Sequence, residues 1–162
     1  MTLVACVNKG LPAAVLVIGL SLLSSSAAAQ AGAKKSDAVV KASATATEPG
    51  ADGKQVLTLT LQIEDGWHLY ANPTPPDFPG IPTTVTIDKV RPQDLKVEYP
   101  PGKLVKDAVV GDHQVYEGKV TIKAVVQRAR GEAGPLDVNV RVQACTDKQC
   151  LLPGTIKLTV GK

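Results

Sequence analysis

Two cysteines near the carboxyl end are the residues of this sequence best suited to chemistry. Cys145 and Cys150 lie in the stretch QACTDKQCLLPG, residues 143–154. The chain holds 3 cysteines in all, and Cys6 falls in a segment that has the pattern of a cleaved export signal, which leaves an even pair. Close thiols can alternate between dithiol and disulfide, and this spacing brings the Cα atoms within disulfide reach. We therefore expect Cys145 and Cys150 to bond to each other.

The spacing alone leaves three uses of this pair open. A closed loop this short would stabilise the fold by only about 2 kcal/mol in the chain-entropy model, so a purely structural disulfide would close a longer loop. A small, exposed ring is easier to reduce, and its second thiol can resolve a mixed disulfide, which suits thiol exchange. The third use is a zinc site with His68 and His113, although no paired C-x-x-C or H-x-x-x-H motif is present.

The amino-terminal segment has the order of a secretory signal. Lys9 precedes the apolar stretch LPAAVLVIGLSLL, residues 11–23, and small residues follow, with an A-x-A site at residues 27–29. This order predicts a signal peptide over residues 1–29 that is cleaved after Ala29 or Ala31. The apolar run is shorter than the roughly 20 residues of a membrane span, so we expect no span in the mature chain. The predicted location is the periplasm or another secreted setting, where disulfides persist.

Composition limits the remaining functions. A chain of 162 residues has room for one domain. A net charge of +3 gives no strong field to recruit nucleic acid or an anionic membrane. With 14 glycines and 12 prolines, the balance favours short strands with many turns. Thiol exchange needs no cofactor or metal, so we expect neither, and we expect a monomer.

The elements that must position the cysteines are short strands. We expect residues 30–54 to be a flexible leader, with a possible edge strand at residues 38–47. Alternating apolar and polar residues or β-rich runs then predict strands at residues 56–63, 67–70, 83–87, 95–99, 119–126, 136–142 and 155–160. The pattern predicts an all-β, immunoglobulin-like antiparallel sandwich over residues 55–162, with a small barrel as the alternative. The proline-rich stretch of residues 72–82 is interpreted as a plain connection.

Strand alternation also places the first cysteine. Before it, one face of the strand carries apolar residues only, namely Leu136, Val138, Val140, Val142 and Ala144. Cys145 falls on the opposite, outward parity, which predicts an accessible sulfur if no bulge intervenes. The bridge would span the mouth of a hairpin formed by residues 136–144 and 155–160. Access of this kind favours exchange chemistry over a buried structural disulfide.

Three collinear segments resemble one family, the periplasmic N-terminal domain of the thiol:disulfide interchange protein DsbD. DGWHLY, residues 65–70, is similar to the family's D-G-aromatic-x-L-Y motif. VVGDHQVYEGKVTI, residues 109–122, resembles its G-x-x-x-x-Y segment and the strand that follows. VQACTDKQCLLP, residues 142–153, is similar to its active-site hairpin. The resemblance implies an immunoglobulin-like fold whose cysteine pair carries electrons outside the cytoplasm, exchanging with thioredoxin-like oxidoreductase proteins.

The resemblance also implies roles for single residues. Cys145 and Cys150 match the redox pair, with Cys150 as the initial attacking thiol and Cys145 as the resolving one. His68 and Tyr70 fall where the family has aromatic residues beside the active site, and Asp107 matches an acidic residue of the covering loop. His68 replaces a tyrosine; it could accept a proton near a thiol, or be a plain strand residue at the rim.

Two departures from the family matter. Where the family's covering loop carries a shielding aromatic residue, this chain offers only Val109 and Val110, which predicts a looser lid and fast access of reagents to the disulfide. Full-length members continue into membrane and thioredoxin-like domains, so we expect a stand-alone domain that obtains its electrons from another protein. The alternative function, from a different class, is a secreted binding or structural sandwich whose disulfide is inert.

Overall fold

The structure is a computed structural model that describes residues 34–161, and the predicted signal peptide lies outside the described residues. Its two short 3-10 helices are Ser36–Val39 and Pro92–Asp94. The strands of the described part are β1 Val40–Ala46, β2 Lys54–Ile63, β3 His68–Tyr70, β4 Thr84–Ile87, β5 Leu95–Glu98, β6 Lys103–Val105, β7 His113–Tyr116, β8 Lys119–Gln127, β9 Leu136–Val142, β10 Ala144–Cys145 and β11 Gly154–Val160. From residue 34 to residue 161 there is no helix long and apolar enough to cross a membrane.

The strands form three antiparallel sheets. One sheet has the order β1-β2-β8-β5, a second has the order β10-β3-β7-β6, and the third has the order β11-β9-β4. β9 and β10 are separated only by Gln143, yet β9 pairs with β11 and β4 while β10 pairs with β3. The chain therefore changes sheets at Gln143, two residues before the first cysteine of the pair.

The alternating strands bury their apolar faces in one core. In β2 the residues on the predicted inward face, Leu57, Leu59, Leu61 and Ile63, are at most 1% exposed. In β9 the predicted inward set is buried as well, and both sets belong to one hydrophobic cluster with Leu69 and Ile122. Full burial of such a side chain contributes roughly 1.5–3 kcal/mol, so these two strands hold much of the sandwich together. The predicted immunoglobulin-like sandwich is confirmed.

The segment predicted as a flexible leader is packed over residues 36–46, and the possible edge strand predicted at residues 38–47 is confirmed as β1. Ser36 is 0% exposed, Val39 is 1% exposed and Val40 is 5% exposed, so the 3-10 helix and the start of β1 contribute to the interior. β1 lies at the edge of its sheet and pairs with β2 from Val40 opposite Ile63 to Ala46 opposite Leu57. Composition alone favoured a leader because Ala, Lys, Ser and Thr dominate there. Pairing with β2 overrides that preference.

The strands missing from the sequence prediction are the short ones. β6, β7 and β10 have 3, 4 and 2 residues, and runs this short carry little period-two pattern, although β3, also of 3 residues, was predicted. All three belong to the sheet that carries the cysteine hairpin. The alternation pattern thus predicted the strands of the core and missed part of the sheet on which the site is built.

Candidate functional site

The two cysteines form the predicted disulfide at the margin of a sheet. Cys145 and Cys150 are bonded, and their Cα atoms are 4.0 Å apart. They face each other across a short antiparallel hairpin, in which Leu151 N donates to Ala144 O at 2.9 Å. No backbone hydrogen bond joins the two cysteines directly. They occupy the kind of opposed position at which antiparallel strands bring side chains closest together.

The turn between the cysteines is held by Thr146. Thr146 N donates to Gln149 O at 2.8 Å, which closes the turn. The Thr146 hydroxyl accepts the backbone N–H groups of Lys148 and Gln149, both at 3.2 Å. Asp147 and Lys148 form the exposed tip. A hydroxyl that accepts two amides of the turn fixes its conformation, so the disulfide closes an ordered hairpin.

The two sulfur-bearing residues differ in exposure. Cys145 is 1% exposed, whereas Cys150 is exposed. The prediction of an accessible Cys145 is therefore wrong, since Ala144 and Cys145 are both buried. Cys145 is buried because β10 pairs with β3, whose Tyr70 covers the outward face. Of the pair, Cys150 is the one that a reagent can reach.

Tyr70 places a hydroxyl against both sulfurs. Its oxygen lies 3.4 Å from Cys145 Sγ and 3.8 Å from Cys150 Sγ. Disulfide sulfurs carry no hydrogen, so the tyrosine hydroxyl is the donor. Burial raises the pKa of Tyr70, and the carboxylate of Asp107 raises it further. The hydroxyl therefore keeps its proton at neutral pH and remains a donor toward the sulfurs.

His68 lies opposite Cys145 in the pairing of β3 with β10. Its ring is half-buried, and its centroid is 6.0 Å from that of Tyr70 in an edge-on arrangement. Burial lowers the pKa of His68 below its ordinary value, while Asp147 and Glu117 act in the opposite direction. A neutral imidazole is thus favoured beside the disulfide. Among residues 34–161 there is no group of three or more His, Cys, Asp or Glu side chains placed to hold a metal ion.

The proline-rich connection of residues 72–82 folds over Tyr70. The ring of Phe78 lies 4.8 Å from the Tyr70 ring, with an angle of 77° between the planes. Gly80 fits so closely that a Cβ there would collide with the side chains of Tyr70 and Phe78. The backbone N and the hydroxyl of Thr83 both donate to Tyr70 O, at 2.9 Å and 2.8 Å. The segment interpreted as a plain connection therefore holds Tyr70 in place.

The sequence did not predict that Phe78 and His113 pack against Tyr70 beside the disulfide. Their rings are 4.8 Å apart, and the His113 ring is 5.6 Å from that of Tyr70. His113 is 6% exposed, and its Nδ1 lies 2.9 Å from Gly111 O. One signal was present in the sequence, because Phe78 is the only phenylalanine of the chain and stands in a loop of glycine and proline.

The loop predicted to cover the disulfide is shaped by Asp107. The Asp107 carboxylate accepts the backbone N–H groups of Val109 at 2.7 Å and of Val110 at 3.1 Å. These two hydrogen bonds lower the pKa of Asp107, with a smaller contribution from His113. Val109 is 92% exposed and Val110 is 39% exposed. Side chains this exposed offer the disulfide little shielding, which agrees with the looser lid expected from the sequence.

The antiparallel sandwich, with a disulfide hairpin at the margin of one sheet, defines an immunoglobulin-like domain that carries a cysteine pair at its edge. Residues 35–161 match the family described as thiol:disulfide interchange protein DsbD, N-terminal. The match spans most of the chain, and the chain belongs to this family. No curated protein matches the chain at a significant level.

Two solved structures support the fold, and a third is only weakly similar. The reduced N-terminal domain of DsbD from Neisseria meningitidis is similar with a TM-score of 0.54 and 16% identity, over 80% of this chain and 90% of that chain. The N-terminal periplasmic domain of ScsB from Proteus mirabilis gives a TM-score of 0.52 and 19% identity, over 74% of this chain and 44% of that chain. A DsbD N-terminal domain in complex with the PilB N-terminal domain, both from Neisseria meningitidis, gives a TM-score of 0.47 and 16% identity, over 72% and 80%.

Proposed function

We propose that this chain performs thiol:disulfide exchange outside the cytoplasm through Cys145 and Cys150, with thioredoxin-like oxidoreductase proteins as partners. The observation that carries the proposal is the asymmetry of the bonded pair: one sulfur belongs to an exposed residue and the other to a buried one beneath a hydroxyl. Exchange needs one reachable sulfur and one protected sulfur that resolves or leaves. Membership in a family of thiol:disulfide interchange proteins supports the same conclusion.

Reduction of the chain follows from this asymmetry. A partner thiolate attacks the sulfur of Cys150, the bond between Cys145 and Cys150 breaks, and a mixed disulfide forms on Cys150. Cys145 leaves as a thiolate, toward which the Tyr70 hydroxyl, 3.4 Å away in the oxidised chain, can donate a hydrogen bond. A second partner thiolate then attacks the mixed disulfide and frees Cys150. Two electrons have entered the chain.

Delivery of electrons reverses these steps. The Cys150 thiolate attacks a partner disulfide, and Cys145 then attacks Cys150 to release the reduced partner. His68, opposite Cys145 and favoured as a neutral imidazole, can take up the proton that the Cys145 thiol loses. Asp107 has a positioning role, because it shapes the loop that lies beside the Tyr70 and His113 rings.

The proposal includes an export route. Residues 1–29 act as a signal peptide that is removed after translocation, which brings residues 30–162 into an oxidising compartment. The ordered domain includes Ser36, which is fully buried although it lies in the segment predicted as a leader. Sequencing the amino terminus of the exported protein tests this step. A chain that retains Met1 to Ala29 contradicts it.

Trapping a mixed disulfide tests the exchange itself. The probe is a thioredoxin that keeps only its attacking active-site cysteine, activated as a thionitrobenzoate disulfide. Reduced Cys145→Ala retains the exposed sulfur and is expected to form a stable covalent complex. Reduced Cys150→Ala is the matched control, because its remaining thiol is buried, and it is expected to react far more slowly. If neither variant reacts, the pair is an inert structural disulfide and the proposal fails. If both react equally, the asymmetry that carries the proposal is contradicted.

A further inference from the structure

The hydroxyl of Ser36 connects the two arms of the cysteine hairpin. It accepts the backbone N–H of Ala144 at 2.8 Å and donates to Leu152 O at 2.8 Å. Ser36 N donates to the same carbonyl at 2.9 Å. Ala144 immediately precedes Cys145, and Leu152 follows Cys150 by two positions. One buried side chain thus joins the backbone on both sides of the disulfide.

We propose that Ser36 is a positioning residue for the redox pair: its hydroxyl keeps the two thiols of the reduced chain within bonding distance. This inference rests on the proposed function, and it adds a residue from the far end of the described chain. Ser36 is 0% exposed, so no water competes for its hydroxyl. The contacts are long-range, 108 and 116 residues along the sequence, and so they depend on the folded state.

The 3-10 helix that carries Ser36 is itself packed against the second arm. A Cβ at Gly154 would collide with the backbone and side chain of Asp37, so the helix lies directly on Gly154. Val39, at the end of the same helix, is 1% exposed and belongs to the core. The hydroxyl is therefore presented from a rigid element, which is a condition for a positioning role.

The serine acts differently on the two redox states. In the oxidised chain the disulfide already holds the arms together, and removing the hydroxyl leaves the N–H of the buried Ala144 without its partner, while Leu152 O keeps the backbone N–H of Ser36. In the reduced chain the arms can separate once the hydroxyl is gone, and water can reach the same groups. Loss of the hydroxyl therefore destabilises the oxidised form more than the reduced form. Formation of the Cys145–Cys150 disulfide therefore becomes less favourable.

The affected step is oxidation of the dithiol by oxidised glutathione. The S–H bonds of Cys145 and Cys150 are broken and their Sγ–Sγ bond forms, while the glutathione disulfide is cleaved to two thiols; two electrons and two protons pass to glutathione. Loss of one hydrogen bond of ordinary net strength corresponds to about a fivefold change in this equilibrium. At 29.6 mV for a tenfold change, the reduction potential of Ser36→Ala rises by about 21 mV.

The experiment equilibrates the protein and its variants with glutathione buffers and measures the fraction oxidised. Ser36→Ala is expected to show about a fivefold lower equilibrium constant for disulfide formation, and Ser36→Thr, which keeps a hydroxyl, is expected to recover part of it. Ile122→Val is the matched control, since it removes a buried methylene from β8 without touching the hairpin. It should lower the stability of both redox forms and leave the equilibrium unchanged. A Ser36→Ala variant that loses stability without a change in the equilibrium overturns the proposal.

Hydrogen exchange on the unmodified protein provides a test that does not depend on a variant folding. If Ser36 restrains the reduced hairpin, the amide of Ala144 stays protected in both redox forms. An Ala144 amide that exchanges freely on reduction overturns the proposal. The trapping experiment, in which Ser36 is unchanged, separates this inference from the proposed function. If no mixed disulfide with thioredoxin forms there, the function is refuted, whatever Ser36→Ala does to the glutathione equilibrium.

Discussion

Replacing Tyr70 with phenylalanine isolates the hydroxyl that lies against the sulfurs. The ring remains, so its packing on Phe78 and its cover over Cys145 are kept. The lost interaction is the hydrogen bond to the Cys145 thiolate as it leaves. Hydrogen bonds to charged groups contribute roughly 1.5–3 kcal/mol, and the half-buried position of Tyr70 places this one near the lower limit, about 1.5 kcal/mol. That energy corresponds to about a tenfold change in rate.

The assay is reduction of the oxidised protein by excess dithiothreitol near neutral pH, with samples quenched in acid and labelled with a maleimide for mass analysis. Tyr70→Phe is expected to be reduced about tenfold more slowly than wild type. Tyr99→Phe is the matched control, because the Tyr99 hydroxyl accepts Val85 N–H at 2.9 Å and contacts neither sulfur. Equal rates for Tyr70→Phe and wild type, or equal slowing in Tyr99→Phe, would refute a role for the hydroxyl at Cys145.

Three further predictions concern the same site. In the reduced protein, iodoacetamide is expected to modify Cys150 at least about tenfold faster than Cys145, because only Cys150 is exposed. Peptide mass analysis measures the ratio of the two rates, and equal rates contradict the difference in exposure. Gly80→Ala should displace the proline-rich loop from Tyr70, costing about 1–3 kcal/mol in urea unfolding and speeding reduction by dithiothreitol; an unchanged variant contradicts the close packing. His68 has a folded pKa below its ordinary value of 6.5, so its contribution to stability is present above that pH and lost as pH falls through the folded pKa. His68→Gln should therefore lose less unfolding free energy than wild type between about pH 7.5 and about pH 5; parallel losses contradict this sign.

The strands of the core could be predicted because their pattern is local. Leu57 to Ile63 alternate without interruption, and every second residue is buried as expected. The same reasoning gave the buried position of Ala144 correctly and that of Cys145 wrongly. Burial of Cys145 could not be predicted this way, since its cover comes from Tyr70, 75 residues away. Alternation predicts which face of a strand a residue occupies, but not what lies on that face.

The surroundings of the disulfide depend on contacts between distant segments. Ser36 lies in a composition typical of a leader, and only its hydrogen bonds to Ala144 and Leu152 reveal an ordered element. Phe78 and Gly80 stand in a proline-rich run whose path over Tyr70 depends on hydrogen bonds with other elements. The cysteine pairing was easier to predict, because spacing and an even count after export leave one partner for each thiol.

The reduction potential of the Cys145–Cys150 bond tests most directly whether this disulfide is exchangeable. The wild-type protein is equilibrated with defined ratios of reduced and oxidised dithiothreitol or glutathione, and the fraction of disulfide is measured after acid quenching. An exchange pair with one exposed sulfur requires a midpoint above about −300 mV, the level below which structural disulfides in secreted proteins typically lie. A midpoint below about −300 mV would contradict an exchangeable pair and show an inert structural bond instead.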